Sequence, residues 1–223
     1  MSKQNKYLDV MIDIETASTK YDACVLSIGI VKFNLFDSEV ERDKLELLIY
    51  LDSCVEAGLR VSEDTMEWWA TQDKNVYNHV FNEGPRYSLI EGIRKMNEFI
   101  SDPTIERYWS QGSFDFIVLE NAMNKVEIEP IWKYYQLRDA RTISKMVENL
   151  PRKPKNAHSA IVDCDYQIDV LHHVYEELNI KPIKRKNRIV FDYSKDWLCG
   201  CGAGNFAYRK SCYKCNKQKL TEK

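Results

Sequence analysis

Residues 8–14 read Leu-Asp-Val-Met-Ile-Asp-Ile, a stretch that is mostly apolar and β-branched. Such a run suits an interior strand buried on both faces, and a strand of that kind needs packed layers on either side of its sheet. Two further strand patterns follow, Cys24–Asn34 and Lys44–Leu51, close enough to form a meander with the first. From Ser62 the pattern turns helical: Ser62 opens an S-x-x-T start with Glu63 and Asp64 in the first turn, and Met66, Trp68 and Trp69 follow. Ser88–Ile100 is a clearer amphipathic helix, with Leu89, Ile93, Met96 and Phe99/Ile100 at helical spacing. Strands are expected again at Ile105–Trp109 and Leu137–Ala140, and helices at Phe114–Val126, Thr142–Asn149 and Ser159–Leu178. Strands first, then strands alternating with helices, imply an α/β fold: a mixed sheet flanked by helices.

The 223 residues suffice for one sizeable domain and a small one. At 44% hydrophobic and 30% charged the chain has the make-up of a globular protein. It holds no apolar run long enough for a membrane span. Met1–Tyr7 is polar and short, with no apolar segment after it, so secretion is not expected and a cytoplasmic setting is. The net charge of −2 conceals a split: from Lys181 onward there are 12 Lys/Arg against 3 Asp/Glu, so the rest is acidic. A basic tail can attract polyanions, while an acidic body can keep its carboxylates for another purpose; a solvated tail is the plainer reading.

Three short segments carry candidate chemistry. In Ile-Asp-Ile-Glu-Thr at 12–16, Asp13 and Glu15 are two apart and point to the same side of a strand. Carboxylates ending an apolar strand are costly unless solvated, paired or bound to a cation, and a hard divalent ion suits them. Alone, a D-x-E is more often a strand running into a polar loop. In Gly-Ser-Phe-Asp at 112–115, Asp115 sits near a helix start, where a carboxylate also simply offsets the helix dipole. In His-Ser-Ala-Ile-Val-Asp at 158–163, one uninterrupted helix would put His158 and Asp163 on different faces. If His158 lies on the loop before the helix, with Ser159 near the N-cap, both face one cleft. Asp165 and Asp169 are expected to be solvated. Phosphodiester hydrolysis needs a nucleophilic water and stabilised attacking and leaving oxygens, which two metals with few carboxylates each can supply. A histidine can take the water's proton.

In this order and context the segments resemble the DEDDh exonucleases, over most of residues 8–178. The resemblance implies a ribonuclease H-like fold with a five-stranded mixed sheet. It implies Asp13, Glu15, Asp115 and Asp163 as ligands of two Mg²⁺ or Mn²⁺ ions, His158 as general base, and Glu15 helping to place the terminal 3′-hydroxyl. The stretches at 64–72, 112–122, 134–143 and 157–164 resemble a subfamily of phage exodeoxyribonucleases that also contains a mycobacterial exoribonuclease. The implied activity is release of nucleoside monophosphates from DNA 3′ ends, in the host cytoplasm if phage-encoded. The substrate would be a nucleic acid with a free 3′ end, single-stranded, with no membrane and no small organic cofactor involved. An exoribonuclease of the same mechanism stays open, as does a non-catalytic single-strand-binding protein. Trp68 and Trp69 are candidates for base stacking, core packing being the alternative. Asp139 and Arg141 are candidates for bracing the site or touching phosphate, structural salt bridging being the expected role of both.

The tail adds Cys199, Cys201, Cys212 and Cys215 as C-x-C and C-x₂-C. Four thiolates suit one structural Zn²⁺, whose binding would drive the folding of a segment too short for its own core. Asp196-Trp197 before the first Cys, and Asn205 four residues after Cys201, resemble a RanBP2-type zinc finger with a shortened first pair. The resemblance implies Phe206 as a stacking aromatic and Arg209 and Asp196 as nucleic-acid contacts. The expected organisation is an exonuclease domain at 1–180, a basic linker at 181–194 and a finger at 195–223.

Overall fold

The computed structural model describes residues 7–154, 158–182, 197–201, 203–205 and 209–218. The chain divides into two compact units, Met1–Lys181 and Pro182–Lys223.

The first unit is built on one mixed sheet. Strand β1 (Asp9–Thr16) lies at its centre, antiparallel to β2 (Val25–Phe33) and parallel to β5 (Arg107–Ser110). Beyond β2 comes antiparallel β3 (Asp43–Ile49), then the short parallel β4 (Arg86–Tyr87); beyond β5 comes parallel β6 (Leu137–Asp139). The order is β4-β3-β2-β1-β5-β6. This is the expected α/β architecture, a mixed sheet flanked by helices, with six strands rather than five. The extra strand is two residues that pair with Leu48 and Ile49 just before a helix, too short to show alternation in the sequence.

The alternation of β1 sorts its side chains. Val10, Ile12 and Ile14 join the larger core. That face is covered by α1 (Leu51–Glu56), α2 (Glu63–Ala70), α3 (Lys74–Phe81), α4 (Leu89–Ile100) and α5 (Phe114–Lys125). Helix α4 starts at a capping box in which Ser88 and Glu91 exchange hydrogen bonds. Met11 packs on the other face with Val31, Phe33 and Trp109. There it meets α6 (Ala140–Ser144) through Ala140, and α7 (Ala160–Glu177) through Cys164, Ile168 and Leu171. Asp13 and Glu15 share Met11's parity, so they face α7.

Helix α6 covers Ala140–Ser144 instead of the expected Thr142–Asn149. The Asp139 side chain accepts the Arg141 and Thr142 N–H groups and starts the helix early. Asp139 is thus a cap, and neither it nor Arg141 forms an ion pair among the described residues. Asp165 and Asp169 are not merely solvated: Arg42 pairs with both, and Lys44 Nζ lies 2.6 Å from Asp165. These contacts tie α7 to the region around β3, where basic residues distant in sequence were waiting for it.

In the second unit β7 (Trp197–Leu198) pairs antiparallel with β8 (Gly204–Asn205). No helix among the described residues is long and apolar enough to cross a membrane.

Candidate active site and cysteine cluster

The site begins where β1 ends. The register skips a residue between Glu15 and Thr16, a bulge of the kind that re-aims side chains at functional edges. Trp69 fastens α2 to this end, its indole N–H donating to the Thr16 carbonyl at 2.9 Å. Asp115, in the first turn of α5, accepts the Ile14 N–H at 3.2 Å and is so tied to the strand segment that carries Asp13 and Glu15.

Helix α7 brings the rest. Gly29 on β2 pairs with Asp13 and lies beneath the helix's first turn. A Cβ at Gly29 would come within 2.4–2.6 Å of backbone atoms of Ala160 and Ile161, so only glycine admits this approach. The Cys164 thiol reaches the Gly29 carbonyl at 3.3 Å. Asp163 then faces the strand acids, and one turn later Gln167 donates to Asp13 Oδ1 at 2.7 Å. His158 precedes the helix with φ +73°, and its backbone N–H donates to Asp163 Oδ2 at 2.9 Å. With Ser159 as N-cap, this is the loop placement that lets His158 and Asp163 face one cleft. Donor atoms of Glu15, His158 and Asp163 all lie within 4.8 Å of one another. The ring of His158 meets Trp68 edge-on at 5.1 Å.

Glu15, Asp115 and Asp163 are buried, and Asp13 is half-buried. Burial, then Asp115, Glu15 and Asp163, push the Asp13 carboxyl well above its usual range, against the Gln167 hydrogen bond. Burial, then Asp163 and Asp115, raise Glu15 to about 8, with Lys153 opposing. Burial raises Asp115 to about 6, against the Ile14 N–H and the Arg141 charge. His158 is lowered, by burial first and then by Lys153. Carboxyl groups buried together so that Asp13 and Glu15 resist ionisation are a poor arrangement for water alone and a good one for divalent cations. The donor set fits such ions: the acids offer hard oxygens, and the buried Asp163 Oδ1 accepts no hydrogen bond.

The two tryptophans separate. Trp69 is 1% exposed and belongs to the core, so its ring is not available to a base. Trp68 is 41% exposed and lines, with Glu15, Thr16, Thr19 and Thr65, a groove of about 350 Å³. Gln167 and Lys153 went unnoticed in the sequence. Gln167 carried one signal, its position a turn after Asp163 on the same helix face.

Four carboxylates and an imidazole thus gather at the end of the central strand of the mixed sheet, an arrangement suited to divalent cations. The model of the 3′-5′ exoribonuclease Rv2179c-like domain matches residues 8–175, and the chain belongs to that family. An exodeoxyribonuclease of enterobacteria phage T4 is 29% identical over 161 residues, covering 60% of this chain and 69% of the phage protein. Among solved structures, the nuclease domain of 3′hExo, described as a DEDDh family member bound to rAMP, aligns with a TM-score of 0.48 and 11% identity. That alignment covers 78% of this chain and 94% of the other.

In the second unit the sulfurs of Cys199, Cys201, Cys212 and Cys215 lie within 4.8 Å of one another. Cys199–Cys215 and Cys201–Cys212 are each separated by 3.6 Å. Tetrahedral zinc with Zn–S bonds of about 2.3 Å needs sulfur separations of about 3.8 Å, so the cluster fits that ion. Asn205 joins the two halves: it donates to the Ala203 carbonyl and accepts the Tyr213 N–H. Arg209 is exposed, its guanidinium 5.8 Å from the Tyr213 ring. Asp196 and Phe206 lie outside the described residues, as do residues 183–194 of the expected linker.

Proposed function

We propose that the protein removes nucleoside monophosphates from DNA 3′ ends, with Asp13, Glu15, Asp115 and Asp163 holding two Mg²⁺ or Mn²⁺ ions and His158 acting as general base. The observation that carries this reading is the gathering of four acids from three distant segments, with a histidine among them whose protonation is disfavoured. Bound ions would supply charge stabilisation for the attacking and leaving oxygens. His158, unprotonated near neutral pH, accepts the proton of the attacking water at a ring nitrogen. Asp163 fixes that ring's approach through the His158 backbone N–H, and Trp68 restrains it from one side. Gln167 holds the Asp13 carboxylate in one orientation. Trp68 offers a ring to the terminal base of a single strand from the groove beside Glu15.

The phage relative supports DNA as substrate; the family's description favours RNA as the second reading. Labelled single- and double-stranded DNA and RNA, with free or blocked 3′ ends, incubated with Mg²⁺ or EDTA, decide between them. Mononucleotide release from free 3′ ends of DNA in Mg²⁺ alone is expected. Cleavage of blocked ends, or in EDTA, would refute the mechanism, and selective RNA cleavage would transfer it to RNA. In the same proposal the four cysteines hold a structural Zn²⁺, and the basic tail, Arg209 included, holds the strand being cut.

A further inference from the structure

Lys153 lies on the segment that leads from α6 to His158, and its Nζ is 3.7 Å from Asp163 Oδ1. That oxygen is buried and accepts no hydrogen bond, whereas its twin accepts the His158 N–H. Among the described residues, Lys153 is the lysine or arginine that forms an ion pair with one of the four carboxylates. Its charge opposes the rise of Glu15 and disfavours protonation of His158, so its influence reaches past Asp163 to these two groups.

The contact is not a fold determinant. At 3.7 Å it is a charge pair beyond hydrogen-bond length, and the lysine side chain is 49% exposed. Pairs so open to water contribute little to stability. An ammonium on a flexible four-carbon stem is a point charge that can be re-aimed. Two demands meet at its position. Clustered carboxylates need a compensating charge before any divalent ion arrives, and a phosphodiester entering an acidic cleft needs a cation to approach.

We propose that Lys153 serves both demands in turn, neutralising Asp163 until a divalent ion takes that carboxylate and then binding a backbone phosphate of the nucleic-acid strand. The proposal rests on the reading of the four acids as cation ligands. While the ion is absent, the ammonium competes for the carboxylate that the ion requires. Once the ion is bound, repulsion between the two cations releases the lysine toward the polyanion.

The test uses the full chain as wild type, Lys153→Gln and Lys153→Arg. Mn²⁺ alone is titrated by electron paramagnetic resonance, and steady-state kinetics follow a single-stranded oligonucleotide. The Gln variant is expected to bind Mn²⁺ roughly three- to tenfold more tightly, because the competing charge is gone. Its KM for the strand should rise about tenfold, with kcat changing less, and the Arg variant should restore KM. Unaltered or weaker Mn²⁺ binding in the Gln variant, or an unaltered KM, overturns the proposal. A wild type that binds no Mn²⁺ and cleaves neither DNA nor RNA overturns instead the exonuclease reading beneath it.

Discussion

Free of any cation, Glu15 titrates near 8 and Asp115 near 6, because both are buried and Glu15 also faces other carboxylates. In the unfolded chain they ionise near their ordinary values of 4.5 and 3.8. The folded state therefore holds these protons longer than the unfolded one. Stability from this source is complete below about pH 4 and is lost as the pH climbs through 6 to 8. In EDTA the unfolding temperature should fall by roughly 5–10 °C between pH 5 and pH 8, and Mn²⁺ at pH 8 should restore it. A metal-free unfolding temperature that is flat or rises over this range would show that burial and neighbouring charge do not raise these carboxyls as described. Single residues were unevenly legible in the sequence. The D-x-E parity follows from strand geometry alone. Which of Trp68 and Trp69 is exposed does not, because it depends on the Thr16 carbonyl waiting 53 residues earlier for one indole N–H.

At the scale of elements, the site is an encounter between the end of β1 and the start of α7, and Gly29 sets their separation. Gly29→Ala has to push the helix's first turn away from the sheet, because the obstructing atoms are backbone. Overpacking of this kind costs about 1–3 kcal/mol, and here the displaced turn carries His158 and Asp163. The variant is expected to unfold at lower denaturant concentration and to lose most turnover even where it remains folded. Full turnover in a stably folded Gly29→Ala would mean that the close approach has no part in arranging the acids. Long periodic elements such as α4 and α7 were readable from their apolar spacing. Helix α1 and strand β4 were not: six and two residues are too few to display a period, and tertiary pairing decides them. The start of α6 was displaced because a capping carboxylate at Asp139 outweighs propensity further along.

For the whole molecule, an acidic body and a basic, cysteine-bearing tail carry opposite charge, and the proposal that the tail holds the strand can be tested by removing it. Removing residues 182–223 should weaken binding to long strands and reduce its salt dependence, while hydrolysis of di- and trinucleotides continues. Equal losses on short and long substrates would refute a tethering role. The most direct measurement counts Mn²⁺ ions bound to the zinc-loaded full chain, in wild type and Asp163→Asn, while following release of mononucleotides. We expect two ions per chain and turnover in the wild type, with fewer ions and no turnover in the variant. Hydrolysis that persists in EDTA, or that survives the loss of the Asp163 carboxylate, would contradict the account.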